Sequence, residues 1–239
     1  MQRLLAIETS SEACSVALSV GGETRLRHEL VPLRHAEMLL PAVRSLLAEA
    51  GICLADLDAI AFGQGPGSFT SLRIGIGVVQ GLAWGAEVPV VPVSSLAAAA
   101  QTALAREAEV NPAILEGLPG SHHILVALDA RMREVFHCSY TISTEGLVRE
   151  LEPEQVSPPA AVQATGAAWT LAAGNGFERY PALQQLGESL NRVRPEILPG
   201  AEAVIILAQH WLLSNQALPA VEAQPVYVRN QVADKPKRL

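Results

Sequence analysis

The amino-acid sequence carries one strand pattern twice, and this repeat restricts the fold more than any other feature. RLLAIETSSEACSVALSVGGETRLRHEL, near the start, and HILVALDARMREVFHCSYTISTEGLVREL, about 120 residues later, each predict a strand, an acidic residue, a turn and two further strands. Glu8 and Asp129 take matching places in the two copies. A duplicated folding unit predicts a two-lobed protein with a cleft between the lobes, and two similar hairpins that arose by chance are the alternative.

Helices alternate with strands after the first copy. Apolar residues at helical spacing predict a helix in HAEMLLPAVRSLLAEAG, which is followed by the strand LDAIAF, a helix to about Ala86, the strand VPVVPV and an alanine-rich helix. The order β-β-β-α-β-α-β-α predicts an α/β fold with a mixed sheet covered by helices. We assign residues 1–108 to the first lobe and 109–200 to a second lobe, which we expect to be reduced because the chain is proline-rich and loop-like after GLVREL. The helical segment at about 201–215 is expected to pack back on the first lobe, and 228–239 to form a flexible basic tail.

Composition and charge limit the classes of function. The formal net charge of −7 argues against unaided binding of nucleic acid, because phosphate contacts need a basic surface. No window approaches the roughly 20 apolar residues of a membrane span, and Glu8 and Glu12 interrupt the apolar N-terminus. Three scattered cysteines indicate reduced thiols, so we expect a cytoplasmic protein. The low share of charged residues, 17%, hints that another chain covers part of the surface.

The stretch GQGPGSFTSLRIGIG, which joins a predicted strand to a predicted helix, resembles a phosphate-binding loop at first sight. It has no GxxxxGK[ST] pattern and no lysine, and its first three glycines are spaced GxGxG instead of GxGxxG. A weaker alternative stays open, in which backbone N–H groups at the helix start meet an anion. The candidate residues for such a weak nucleotide contact are Thr9, Ser10, Gly65 and Gly67.

The helix that follows this loop is unusually rich in glycine. Each interior glycine costs roughly 1 kcal/mol of helix stability relative to alanine, so several together need a compensating reason. Gly77, Gly81 and Gly85 are spaced four residues apart and form one bare ridge, against which another backbone could pack closely. The remaining positions are almost all apolar, so the helix must be covered on both sides. Its own sheet covers one side, and either the preceding helix or a second chain covers the other.

Motifs for catalysis are lacking in the sequence. The six histidines show no HxxxH or HExxH spacing, and no GxSxG is present. Glu8 and Asp129 could place two carboxylates across a cleft, as ATP-dependent phosphotransferases of duplicated fold do. Asp129 is followed by ARMRE, however, without the glycine that lets a phosphate approach the hairpin backbone.

Several segments together resemble the TsaB (YeaZ) family of bacterial tRNA threonylcarbamoyladenosine biosynthesis proteins. They are LLAIETSSEACSVAL, HAEMLLP, AFGQGPGSFTSLRIGIGVVQGLAWG, VPVVPVSSL, ALDARMREVF and PVYVRN. The resemblance implies the two-lobed fold of the actin, hexokinase and Hsp70 (ASKHA) superfamily, with duplicated βββαβα units and a reduced second lobe. It also implies a non-catalytic relative of TsaD, the subunit that transfers the threonylcarbamoyl group to adenosine beside the anticodon of tRNAs that read ANN codons.

The resemblance further implies partners and the absence of a cofactor. Members pair with TsaD, with the ATPase TsaE and with a second copy of themselves, and they meet tRNA and ATP or ADP only within that complex. Ser95 and Ala99 stand where we place the two metal-binding histidines of TsaD, so we expect no catalytic residue and no metal here. The expected partner contacts are Leu39, Leu40, Val43, Leu72, Ile74, Gly75, Val78 and Leu82. The alternatives are a self-sufficient kinase or metal-dependent hydrolase, and a homodimeric scaffold with other partners.

Overall fold

A five-stranded mixed sheet forms the first half of the molecule. The computed structural model describes residues 2–115, 121–164 and 169–229. The strands of this sheet are β1 (Leu4–Glu8), β2 (Ala13–Val20), β3 (Glu23–Leu30), β4 (Ala59–Gly63) and β5 (Val90–Val93), in the order β3-β2-β1-β4-β5. The first three strands are antiparallel, whereas β4 and β5 run parallel to β1. The predicted meander and mixed sheet are therefore confirmed.

Three long helices connect or follow the parallel strands, as the sequence predicts. They are α1 (His35–Ala50), α2 (Phe69–Ala86) and α3 (Ser95–Val110). Helix α1 ends at Gly51, whose φ of 67° is the left-handed conformation that glycine adopts at a helix C-terminus. Apolar residues of α1 and α2 pack together on one face of the sheet, against Leu5 and Ile7 of β1.

The second half of the described chain repeats the strand order of the first. Its sheet contains β6 (His122–Asp129), β7 (Val135–Ile142), β8 (Val148–Glu150), β9 (Gln155–Ser157), β10 (Trp169–Ala173) and β11 (Arg192–Arg194). The order β8-β7-β6-β10-β11 matches β3-β2-β1-β4-β5 strand for strand, with β9 paired to β7 as an addition. The matching order confirms the duplicated fold.

The prediction that the chain is loop-like after GLVREL is wrong in part. Strands β9, β10 and β11 lie in this stretch, together with the short helices α4 (Gly176–Arg179) and α5 (Pro181–Gly187). Strands β9 and β11 have three residues each, too few to show an alternating pattern, which explains why the sequence did not indicate them. Among the residues described between β8 and β10, a 3-10 turn at Pro159–Ala161 takes the place of α1. The second half is thus reduced in its helices and not in its sheet.

Helix α3 and the last helix, α6 (Ala201–Trp211), pack across the two halves. Leu96, Ala100 and Leu104 of α3 lie in one core with strands of the second sheet. Val204 and Ile205 of α6 pack on the first sheet, and α3 and α6 also contact each other. The division of the chain at residue 108 stays a prediction, and most of the predicted tail, residues 230–239, lies outside the described residues. None of the described helices is long and apolar enough to cross a membrane.

Candidate partner-binding surface and inter-lobe cleft

The glycine-rich loop between β4 and α2 is packed against the chain itself. A Cβ on Gly67 would collide with the backbone oxygen of Ser10, which accepts a 2.7 Å hydrogen bond from the N–H of Ser68. Gly65 has a φ of 99°, and a Cβ there would lie 3.0 Å from both the Leu72 side chain and the Val226 carbonyl oxygen. The glycines are therefore needed for close internal packing, whether or not a phosphate is present.

The β1–β2 turn closes over the same loop. Thr9 and Ser10 are each 3% exposed, and Thr9 Oγ1 donates a 2.9 Å hydrogen bond to the Ser71 carbonyl oxygen. A Cβ on Gly75 would collide with Thr9 Oγ1. All four positions of the expected weak nucleotide contact, Thr9, Ser10, Gly65 and Gly67, are thus used in contacts within the chain, and the nucleotide contact itself stays a prediction.

Glu8 lies beneath this turn as a buried carboxyl group. It is 1% exposed, it accepts a 2.8 Å hydrogen bond from Ser95 Oγ and a 2.6 Å bond from the N–H of Ser10, and it fills the space beside Gly63. Burial raises the pKa of Glu8, although the hydrogen bonds from Ser10 and Ser95 act in the opposite direction. The sequence predicted that Glu8 could face Asp129 across a cleft. The structure instead buries Glu8 beneath the turn.

Asp129, in contrast, borders a cleft of about 290 Å³ between the lobes. It accepts hydrogen bonds from the Tyr180 hydroxyl group at 2.6 Å and from Arg179 at 2.5 Å, and Arg179 also lies 3.4 Å from Glu12 of the first lobe. Burial alone would raise the pKa of Asp129, but the hydrogen bonds from Tyr180 and Arg131 and the charges of both arginines lower it. Burial, followed by the hydrogen bond to Asp129 and the charge of Asp129, raises the pKa of Tyr180 to about 12, although both arginines act in the opposite direction.

Sequence reasoning missed Glu12, Arg179 and Tyr180 as members of this cleft. Arg179 ends the short helix α4 and Tyr180 follows it, in a stretch that shows no motif, so no local pattern marks them. Glu12 lies in the first turn, near the predicted Glu8, but on its exposed side. The structure joins Glu12 and Asp129 through one arginine, so charges of the two lobes neutralise each other at the cleft.

Positions that bear on metal chemistry are filled by small side chains. Ser95 is bonded to Glu8, and Ala99 is fully buried in the core beneath the second sheet. Among the residues that the structure describes, no three His, Cys, Asp or Glu side chains gather closely enough to hold a metal ion.

The outward face of α2 carries the bare ridge that the glycine spacing predicted. Gly77, Gly81 and Gly85 are exposed, and a Cβ added to any of them would meet no atom within 4 Å. Trp84 stands beside this ridge with 74% of its surface exposed. A groove of about 430 Å³ adjoins Trp84 and is lined by Ala83, Val88, Pro89, Pro219 and Ala220, among others.

Half of the predicted partner contacts belong to the chain's own core. Leu39, Val43, Leu72 and Gly75 are buried. Leu39 and Val43 pack in the core of the first sheet, Leu72 lies beside Gly65, and Gly75 faces Thr9. Leu40 is exposed, and Ile74, Val78 and Leu82 are half-buried along the edge of α2. The exposed ridge itself could have identified Arg73 and Trp84, which lie four residues before Gly77 and three after Gly81 on the same face.

Fold and site together define a two-lobed α/β protein with duplicated strand order that presents an uncovered helical face on its first lobe. The family model of TsaD, described as tRNA N6-adenosine threonylcarbamoyltransferase, matches residues 29–185. The chain is 38% identical to the Escherichia coli tRNA threonylcarbamoyladenosine biosynthesis protein TsaB, over 98% of this chain and 97% of that protein. It is 37% identical to the Haemophilus influenzae protein of that name, over 97% and 95%. The solved structure of YeaZ from Pseudomonas aeruginosa shares 39% identity and a TM-score of 0.82, with 95% of this chain and all of that chain covered. The chain belongs to the TsaB (YeaZ) family.

Proposed function

We propose that this chain is a non-catalytic accessory subunit in the synthesis of threonylcarbamoyladenosine beside the anticodon of tRNAs that read ANN codons. It binds TsaD, stabilises the active conformation of that enzyme and recruits the ATPase TsaE. The names of its curated relatives and the match to the TsaD family model support the pathway. The single observation that carries the accessory role is the glycine ridge of α2, which is exposed and has no packing function within the described chain.

The chemistry at Ser95, Ala99 and Asp129 supports a non-catalytic role. Ser95 is committed to a hydrogen bond with Glu8, and Ala99 offers no ligand atom. Asp129 is paired with Arg179 and Tyr180, so it is poorly placed to act as a general base. We propose that the chain holds no cofactor of its own and that ATP or ADP binds only in the complex with TsaD and TsaE. The three free cysteines, Cys14, Cys53 and Cys138, support a cytoplasmic location.

The proposed contact with TsaD is a helix laid along the outer face of α2. Packed helices usually lie 8–10 Å apart, and a row of glycines permits the closer end of this range. Trp84, large and exposed beside that row, has the character of the aromatic residues that dominate binding energy at interfaces. In the absence of TsaD we expect the same face to pair two copies of the chain.

The test places a large side chain on the ridge. Gly81→Leu should weaken association with TsaD by at least about tenfold, measured by sedimentation velocity, because the leucine holds the helices apart. Glu202→Leu, which adds the same side chain at an exposed position of α6, serves as the matched control. Equal affinity of both variants for TsaD would refute this interface.

A second measurement tests the accessory role. The chain alone should modify no tRNA, hold no metal and turn over no ATP, whereas its addition to TsaD and TsaE should support modification. ATP turnover or substrate modification by the isolated chain would favour the self-sufficient enzyme. A pull-down from cell extract that yields neither TsaD nor TsaE would favour a scaffold with other partners.

A further inference from the structure

The C-terminal strap, residues 224–229, crosses from the start of α2 to the β6–β7 turn of the second lobe. The N–H of Val226 donates a 2.8 Å hydrogen bond to the Gln64 carbonyl oxygen. At its other end, Arg229 donates a 3.2 Å bond to the Ala130 carbonyl oxygen and forms an ion pair with Glu134. Beneath the strap lies a mainly apolar cavity of about 170 Å³, lined among others by Phe69, Met132, Phe136 and Tyr227. Its volume suits a single planar ring and is small for a drug-sized ligand.

Aromatic rings and a guanidinium group form one wall of this cavity. Phe69 and Tyr227 are 44% and 43% exposed, and their ring centroids lie 5.5 Å apart. Arg73 lies 3.9 Å above the Phe69 ring and donates a 3.0 Å hydrogen bond to the Tyr227 hydroxyl group. Exposed aromatic and guanidinium planes of this kind are the surfaces on which unpaired RNA bases stack.

The opposite wall is an unusual turn. Arg131, Met132 and Arg133 have φ values of 60°, 52° and 62°, so three consecutive residues other than glycine adopt the left-handed conformation. This conformation is unfavourable for each of them, and such strain concentrates at functional sites. All three side chains are exposed. The strap bonds of Arg229 to Ala130 and Glu134 hold both ends of this turn.

The rim of the cavity is basic although the chain as a whole is acidic. On other surfaces arginines are matched by acids, as in the pairs Arg25–Glu23, Arg106–Glu109 and Arg149–Glu145. Within the described part of the chain, Arg73 and Arg133 have no carboxylate partner, and Arg131 shares Asp129 with Arg179. Arg73 and Arg133 are not lining residues themselves: Arg73 contacts the lining residues Phe69 and Tyr227, and Arg133 follows the lining residue Met132 in the turn. Arg3 and Arg44 also lack an ion pair among the described residues. In the sequence, Lys235, Lys237 and Arg238 follow the strap within ten residues.

We propose that this cavity binds a single-stranded segment of RNA. One unpaired base stacks on Phe69 and Tyr227 while Arg73, Arg131 and Arg133 contact the neighbouring phosphates. The proposal rests on the proposed function, since the complex with TsaD brings the tRNA to the chain. The net charge of −7 makes binding by the isolated chain weak, so the rim adds affinity and orientation to a tRNA already held by the enzyme.

The test compares two double variants that remove the same charge. Arg73→Ala/Arg133→Ala removes the unpaired rim arginines, and Arg106→Ala/Arg149→Ala removes two exposed, paired arginines elsewhere. Because Arg73 lies on the same face of α2 as the glycine ridge, each variant is mixed with TsaD at a concentration at which sedimentation velocity shows full association. Binding of a fluorescein-labelled, unmodified anticodon stem-loop RNA to that complex is then followed by anisotropy at several salt concentrations. The rim variant should bind about five- to twentyfold more weakly, with a salt slope smaller by about 1.5. The control should bind like the wild type.

A third variant tests stacking. Phe69→Leu keeps the charge and much of the apolar surface, so it should weaken binding of the loop RNA about fivefold or more and leave binding of a fully paired RNA unchanged. Equal RNA affinity of the rim variant and its control would overturn the proposal. Loss of TsaD or TsaE association with RNA affinity intact would also overturn it, because the occupant would then be a protein.

The failure of the proposed function would be seen separately. It would appear as a wild-type chain that does not associate with TsaD before any RNA is added. In that case the same titration on the isolated chain at low salt decides the RNA proposal.

Discussion

Replacing Gly77, Gly81 and Gly85 with alanine should make the isolated chain more stable and the complex weaker. Each glycine costs an exposed helix interior about 0.8–1.0 kcal/mol relative to alanine, and the structure offers free space for all three methyl groups. Gly85 lies in the last turn of α2, where the gain is smaller. The triple variant should therefore gain about 2 kcal/mol in the free energy of unfolding. For a chain of this length, that gain raises Tm by roughly 4–8 °C.

The same helix supplies the matched control. Gly75 faces inwards, and a methyl group there would collide with Thr9 Oγ1 and disturb its hydrogen bond to Ser71. Overpacking of this kind costs about 1–3 kcal/mol, which exceeds the gain in helix propensity. Gly75→Ala should thus lower the free energy of unfolding while the triple variant raises it. Urea unfolding followed by circular dichroism gives both values.

Association with TsaD decides what the exposed glycines are for. The three methyl groups stand where the partner backbone approaches, so we expect the dissociation constant to rise about three- to tenfold. A triple variant that is more stable and binds TsaD as tightly as the wild type would refute the argument that the ridge serves a partner. A triple variant that is less stable would refute the assignment of this face to solvent.

Three further changes test the interior and the cleft. Burial raises the pKa of Glu8 above its usual 4.5, so the folded chain keeps a proton that the unfolded chain loses, and stability should fall as the pH rises through this window. Urea midpoints measured from pH 5 to 8 should therefore fall less steeply for Glu8→Gln than for the wild type. Identical pH profiles of the two would contradict the raised pKa of Glu8. Arg179→Ala should raise the pKa of Asp129, measured by NMR titration, and should lower the free energy of unfolding by about 1 kcal/mol. The control Arg106→Ala, which removes an exposed ion pair, should lower the free energy of unfolding by less than about 0.5 kcal/mol. Glu107→Ala removes a buried carboxylate shared by two arginines and should cost about 3 kcal/mol in urea unfolding, and a cost below about 1 kcal/mol would show that this cluster adds little.

The sequence predicted the long elements well because their patterns extend over several turns or strands. Helices α1, α2 and α3 and the hairpins of both copies show clear periodicity, and the repeat indicated two similar sheets. The strands β9 and β11, which the sequence did not indicate, have three residues each, so their pattern contains too little information. Sequence proximity also gave no sign that Arg179 would meet both Glu12 and Asp129.

The candidate site was predicted less well, and α1 and α2 show why. Apolar periodicity identifies which residues avoid water but does not show whether a sheet or a partner covers them. Leu39 and Leu40 are adjacent and chemically identical, yet the first is buried and the second is exposed. The glycines divide in the same way. Gly67 and Gly75 allow close packing of the chain's own atoms, whereas Gly77 and Gly81 face free space. Only the three-dimensional structure shows whether a glycine serves internal packing or an exposed face.

Helix α3 of the first half packs on the second sheet and helix α6 of the second half packs on the first, and this exchange limits how the chain can lose segments during evolution. Each half of the polypeptide contributes a helix to the core of the other half, so neither half retains a complete interior when it is cut away. The duplicated units are interlocked, and a deletion is tolerated only where no exchanged helix is involved. Among the described residues, the helix without a counterpart in the second half is α1, which lies outside the exchanged pair. The reduction of the second copy therefore leaves α3 and α6 in place, and these two helices join both copies into one cooperative unit.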